Sequence, residues 1–202
     1  MPQYSPPIQT LMDQLAKLPG IGIRSAERMA FHLLKLPPEE ALKLADAIRD
    51  VKTRIKNCSI CFNLTESDPC NICCAEERDH SIVCVVEQPK DLLALEAAGT
   101  YMGVYHVLLG RIAPLDETQA IDTTIAALLE RLQTAPITEL ILGTNPNVDG
   151  DATAIHLVEI VRAKFPHVKL SQLARGIAAG TNIEFANKNV LSDAMTMRQA
   201  VN

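Results

Sequence analysis

The sequence predicts a multi-module chain of mixed α+β and α/β class: a helical N-terminal part, a compact cysteine module, a mostly parallel sheet with flanking helices, and a C-terminal tail. Three observations predict it. Apolar residues recur at helical spacing from Ile8 to Ile55. Four of the six cysteines crowd into Cys58-x2-Cys61-x8-Cys70-x2-Cys73. From Ser81 onward, short apolar runs alternate with helical stretches, the pattern of strands buried on both faces between helices.

The elements follow in chain order. Ile8, Leu11, Met12, Leu15 and Leu18 keep the i, i+3, i+4, i+7 pattern of an amphipathic helix, which Pro19-Gly20 stops. Ala26, Met29, Ala30, Leu33 and Leu34 repeat it. Pro37-Pro38 starts a third helix with Glu39 and Glu40 in its first turn, where acids suit the dipole, and it runs to about Ile55. Strands are predicted at Ile82–Val86, Tyr105–Leu109, Leu140–Leu142 and Val168–Leu173. Helices are predicted at Pro89–Ala98, Ile121–Leu132, Ala152–Lys164 and, in the tail, Val190–Val201. The module boundaries are set at residues 1–56, 57–75, 80–175 and 176–202. There is no internal repeat and no low-complexity tract.

Hydrophobic residues make up 48% of the 202, which excludes a disordered chain, and aromatics only 3%, so the core must be aliphatic. The net charge of −5 argues against nucleic acid until its distribution is considered. Met1 to Asn57 carries nine Lys/Arg and six Asp/Glu, a net of +3, and the rest carries −8. A basic module on an acidic body fits one part meeting an anion and another meeting a cation or basic protein. Nothing reads as a signal peptide or membrane span, so a cytoplasmic location is expected and membrane association is not. In a reducing compartment clustered cysteines are metal ligands rather than disulfides. Two Cys-x-x-Cys turns complete a tetrahedron, and a closed four-cysteine site holds a structural zinc that does no chemistry.

Leu18-Pro19-Gly20-Ile21-Gly22-Ile23 joins the first two helices. A helix's first turn leaves N–H groups unpaired and carries partial positive charge, and the glycines let that backbone approach an anion. Lys17 precedes the turn, and Arg24 and Arg28, four apart, share one face of the second helix. This is similar to a helix-hairpin-helix, which grips DNA phosphates without reading sequence. An ordinary tight turn with two solvated arginines remains the alternative.

Glu87 follows the first strand and Asp149-Gly150-Asp151 the third. In parallel sheets functional groups collect beyond the C-terminal ends of strands. Three carboxylates converging there suit Mg²⁺, with Gly150 making a sharp turn and Asp91 close enough to join. Capping of a helix N-terminus by Asp149 and Asp151 suits the same spacing, and both stay open. A Glu at one strand end with Asp-x-Asp at a later one resembles a Toprim domain. His32 is expected to be packed or at the surface, His106 to take a core or interface role, and Cys84 to lie in the core. Cys73 is preferred over Cys74 as ligand because it completes the x2 spacing. Arg175, between Ala174 and Gly176, is a candidate for phosphate or for an acidic subunit surface.

The order of the modules, with strings such as Val85-Val86-Glu87-Gln88-Pro89, Tyr105-His106-Val107-Leu108 and Ala174-Arg175-Gly176, resembles the bacterial recombination-mediator family RecR over essentially the whole chain. The resemblance implies a non-enzymatic, ring-like tetramer that encircles DNA. It implies RecO and RecF as partners, helping to place RecA on single-stranded DNA. It assigns DNA contact to Arg24 and Arg28, zinc to Cys58, Cys61, Cys70 and Cys73, and the Toprim acids to Glu87, Asp149 and Asp151. It also gives a Walker B-like stretch around Leu170–Gly176, and a tail that pairs subunits. The chain departs from the family in having Asp-Gly-Asp for the usual Glu-Gly-Glu, and Gly180-Thr181-Asn182-Ile183-Glu184-Phe185 for Gly-Gly-Asp-Leu-Glu-Tyr. The competing function is a Mg²⁺-dependent Toprim nuclease, with Glu87 as acid/base and the aspartates as ligands. A topoisomerase needs a tyrosine on a separate mobile domain, and only Tyr4, Tyr101 and Tyr105 exist. A third reading is a zinc-dependent oligomerisation module whose acids dock a basic partner.

Overall fold

The structure is a computed structural model that describes residues 4–112 and 119–200. It divides into two bodies, Met1–Ile55 and Lys56–Asn202, each described by itself.

In the first body, α1 (Pro6–Leu15) and α2 (Ile23–Lys35) pack through Met12, Ala26 and Ala30. Small alanines let two short helices approach closely. Phe31 meets the Tyr4 ring edge-on at 5.4 Å, and the Tyr4 hydroxyl donates to the Glu27 carboxylate. α3 (Pro38–Arg54) carries Glu39 and Glu40 in its first turn and Lys52 and Arg54 in its last, which suits its dipole. It buries no residue; Leu42, Leu44, Ile48 and Val51 are all exposed.

In the second body, β1 (Lys56–Asn57) and β2 (Leu64–Thr65) form a small antiparallel hairpin, and α4 (Asn71–Cys74) is one turn of helix. None of the three carries enough periodicity to be legible in sequence. β3 (Asp79–Val86), α5 (Pro89–Ala98), β4 (Gly103–Val107), α6 (Gln119–Thr134), β5 (Glu139–Leu142), α7 (Val148–Lys164) and β6 (Lys169–Gln172) build a parallel sheet of order β4-β3-β5-β6. A 3-10 turn (Ile183–Phe185) and α8 (Lys188–Thr196) follow.

Strand alternation divides the core in two. Val83, Val85, Val104, Leu108, Leu140 and Leu142 pack against Ile125, Leu128 and Leu132 of α6 and Ala154, Leu157 and Val161 of α7. Cys84, Val86, Tyr105 and Val107 face Leu92 and Leu95 of α5, with Phe62 and Ile72 of the cysteine module completing that face.

Some boundaries differ from the sequence expectation, each for a local reason. β4 ends at Val107 because Leu109 takes a left-handed conformation at φ +58° and turns the chain. α7 begins at Val148, not Ala152, because Asn147 caps it, its side chain accepting from the Gly150 N–H at 2.9 Å. α8 begins at Lys188 because Asn187 caps it in the same way, through the Val190 N–H. It stops at Thr196, where the Arg198 guanidinium bonds the Met195 carbonyl. Val201, the expected end, lies outside the described residues. Asp91 is no member of an acid site. Its carboxylate accepts the Gln88 N–H at 2.9 Å in a capping box that opens α5.

His106 is a core residue, as expected. Its Nε2 lies 2.9 Å from the Thr124 carbonyl, and its buried Nδ1 has no hydrogen-bond partner among the described residues. Burial pushes its pKa from 6.5 down to about 4. The folded state therefore refuses a proton that the unfolded chain accepts. Nothing is lost above pH 6.5, and stability falls as pH drops from there toward 4, by about 3 kcal/mol in all. Urea unfolding of a His106→Leu variant is expected to lose about 2 kcal/mol less than wild type between pH 7 and 4.5. An equal loss in both proteins would exclude His106 as the cause.

Candidate functional site

The hairpin between α1 and α2 is built by short-range bonds. The Leu18 N–H donates to Leu15 O at 3.1 Å and the Ile21 N–H to Leu18 O at 3.0 Å. Gly20 sits at φ +80°, where a side chain is strained. Gly22 is the N-cap of α2, in an ordinary extended conformation, and a Cβ there would touch nothing. Among the described residues, no contact requires glycine at 22. The unpaired N–H groups of the first turn, at Ile23, Arg24 and Ser25, lie next to that open backbone. Lys17, Arg24 and Arg28 are exposed, with Lys17 within 3.4 Å of Gln14. His32 is exposed.

Cys58, Cys61, Cys70 and Cys73 are buried, with all four sulfurs within 4.8 Å of one another. The knuckle bonds hold them there. Cys58 N–H donates to Asn63 O at 2.8 Å, Phe62 N–H to Cys58 O at 3.0 Å, and Cys70 N–H to the Cys58 sulfur at 3.3 Å. Phe62 takes φ +62° to close the first turn, and the Asp68 carboxylate accepts the Ser59 N–H at 2.7 Å. The Asp68–Pro69 peptide is cis.

Cys61 and Cys70 sulfurs are 3.5 Å apart, too far for a disulfide and close to the roughly 3.8 Å edge of a zinc–thiolate tetrahedron. Charge makes the same argument. A hydrogen bond from the Cys73 thiol lowers Cys61 to about 6, whereas burial raises Cys70 to about 11 and the bond to Cys61 raises Cys73 further. One thiolate forms readily and the next are opposed. A dication supplies the charge that lets all four ionise, so the donor set fits structural zinc. Cys74 is exposed, its sulfur 3.7 Å from Pro69 O, and stands outside the cluster. Cys84 lies in the core, raised to about 12 by burial.

The module is fastened to the sheet. Cys61 O accepts the Val107 N–H at 2.8 Å, and the Phe62 ring meets His106 edge-on at 5.3 Å. A backbone donor on the outer side of edge strand β4 is thereby satisfied.

The three acids do not converge. Among the described residues, the cysteine set is the only group of three or more metal-binding side chains so closely gathered. Glu87 is 4% exposed, and its Oε1 accepts the Asn145 N–H at 2.7 Å. Asp149 and Asp151 stand in the first turn of α7, where residues two apart point about 200° apart around the axis. Asp149 pairs with Arg111, Nε to Oδ2 at 2.8 Å. Asp151 pairs with both terminal nitrogens of Arg175. Gly150 makes no sharp turn. It is helical, and a Cβ would collide with Asn145 O and come within 2.8 Å of Glu87 Oε1, so glycine is needed for close approach.

Glu87, Gln88, Lys90, Arg111, Asn145 and Asn147 line a cleft of about 430 Å³ beyond the C-terminal ends of β3 and β5. The strand order switches direction between these two strands, the usual place for a site in such sheets. Sequence reasoning missed Arg111. Its one signal in the sequence is its place just beyond a predicted strand, the same position that singles out Glu87. Arg175 lines a separate cleft of about 520 Å³ with Asp151, Asn187 and Asp193. No helix among the described residues is long and apolar enough to cross a membrane.

Known proteins bear on this arrangement. Residues 8–52 match the family model for the RecR helix-hairpin-helix, 55–75 that for the RecR four-cysteine zinc finger domain, and 81–174 that for a Toprim domain. The chain is similar to recombination protein RecR of Rhodopirellula baltica, 52% identical over 95% of this chain and 96% of that protein. It is similar also to the RecR proteins of Bifidobacterium adolescentis, 43% identical over 98% of both chains, and Staphylococcus aureus, 42% identical over 96% and 98%. A hairpin, a four-cysteine knuckle and a Toprim sheet in this order, with such relatives over nearly the full length, mean that the chain belongs to the RecR family.

Proposed function

We propose that this chain is a DNA-binding recombination mediator in DNA repair, a scaffold without catalysis. It grips DNA phosphates through Lys17, Gly20, Gly22, Arg24 and Arg28, and acts in the cytoplasm with RecO and RecF to help load RecA on single-stranded DNA. The observation that carries the reading is the hairpin. Gly22 serves no contact among the described residues, and exposed Arg24 and Arg28 flank the open first turn of α2. The names of the relatives support the recombination role. Zinc on Cys58, Cys61, Cys70 and Cys73 is structural in this reading, and the division into 1–56, 57–75, 80–175 and 176–202 belongs to it.

A homo-oligomer, as a tetrameric ring, is part of the same proposal. The apolar side chains that α3 leaves exposed support it, as do Ile183, Phe185 and Met195 in the tail. Absence of catalysis is supported by the dispersal of Glu87, Asp149 and Asp151.

Three measurements test this. Replacing Arg24 and Arg28 with Ala together is expected to reduce the slope of log affinity against log salt on single-stranded DNA by about 1.4, with the melting temperature unchanged. An unaltered slope would remove the hairpin as the contact. Cys73→Ser is expected to lose the single zinc per chain and to lower the melting temperature by roughly 10 °C, while Cys74→Ser keeps both. Zinc loss from the Cys74 variant instead would reassign the fourth ligand. Labelled DNA incubated with the protein and Mg²⁺ or Mn²⁺ is expected to stay intact; cleavage abolished by Asp149→Asn would sink the scaffold reading.

A further inference from the structure

The Toprim match implies a divalent ion among Glu87, Asp149 and Asp151, and these residues do not fit one. Magnesium requires near-octahedral oxygens at about 2.1 Å, delivered to a single point. Here one Glu87 oxygen is committed to the Asn145 N–H in a nearly closed environment. The aspartates leave opposite sides of the α7 first turn, because helical geometry separates neighbours two apart. Each meets a guanidinium rather than the other acids. Arg175 binds Asp151 through two nitrogens, the fork geometry that suits a carboxylate, and its pKa is raised by that hydrogen bond. Three carboxylates, two guanidiniums and the positive end of the α7 dipole leave little uncompensated negative charge for a dication.

We propose that Arg111 and Arg175 stand in place of the divalent ion, so that the Toprim acids serve as counter-ions to two arginines and take up no magnesium. Arg111 then links the loop after β4 to α7, and Arg175 links the loop after β6 to the same helical turn. The C-terminal edge of the sheet is thus tied together by side chains of the chain itself. This inference rests on the scaffold reading and gives its physical cause.

The test is a manganese titration of the full-length, zinc-loaded protein, following free Mn²⁺ by electron paramagnetic resonance at low-millimolar concentration. Wild type is expected to show no site that depends on Asp149. Replacing Arg111 and Arg175 with Ala together is expected to strengthen weak, separate Mn²⁺ association at the freed Asp149 and Asp151 carboxylates by roughly tenfold or more, because the positive charge that repels the ion beside each one is gone. A wild-type site for one Mn²⁺ that Asp149→Asn abolishes would overturn the proposal, as would a double variant with no gain. The wild-type titration decides the first point even if the variant folds poorly. Mn²⁺ binding without DNA cleavage would overturn this inference alone, whereas cleavage would overturn the scaffold reading with it.

Discussion

Val83, Cys84, Val85 and Val86 have almost no solvent on either side of β3, and the second body is arranged to keep it so. A parallel strand in the centre of a sheet needs cover on both faces. α6 and α7 cover one. On the other, α5 shares the work with Phe62 and Ile72, which come from the cysteine module. A segment with one helical turn and a two-residue ladder has too little regular structure to hold those side chains in place. Four converging thiols and the dication they fit supply the fixed point. The knuckle then closes the outer side of β4 through the Cys61 carbonyl. The zinc module is in this sense a missing piece of the sheet's core.

The same double burial sets the position of the acids. Where β3 runs out, Glu87 accepts the Asn145 N–H of the turn that follows β5, and the Asn145 carbonyl comes so close to residue 150 that only glycine fits there. The turn is thereby pinned, and α7 starts three residues after Asn145. Asp149 and Asp151 fall inside the helix instead of on a loop. From that point their directions follow from 3.6 residues per turn, and arginines from two different loops complete them. A pattern that supports metal chemistry on a loop becomes, on a helix, a pair of ion pairs.

The first body contrasts with the second. Its buried core is Met12, Ala26 and Ala30, while α3 presents aliphatic side chains to solvent. Helix burial relieves such a face only through a partner surface, which agrees with the oligomer proposed for this chain. The hairpin itself needs none of this. Its geometry is settled by Gly20 at positive φ and by bonds spanning three residues.

What the sequence determined by itself was whatever short-range physics controls. The helices of the first body, the alternation of strands and helices, the cysteine knuckle and the glycine hairpin all rest on residues close in the chain, whose spacing sets the geometry. The aliphatic core and the buried roles of His106 and Cys84 were legible for the same reason, since an apolar run declares its own burial. The tertiary structure alone decided the partners of the charged groups. Arg111 and Asp149 are far apart in sequence, as are Glu87 and Asn145, and no periodicity relates them. Whether Asp-Gly-Asp lies on a loop or a helix depended on Asn147 as a cap and on the close approach of the Asn145 carbonyl to Gly150. Spacing suggested a metal for these acids, because it shows which carboxylates can gather and not which cations of the chain will reach them first.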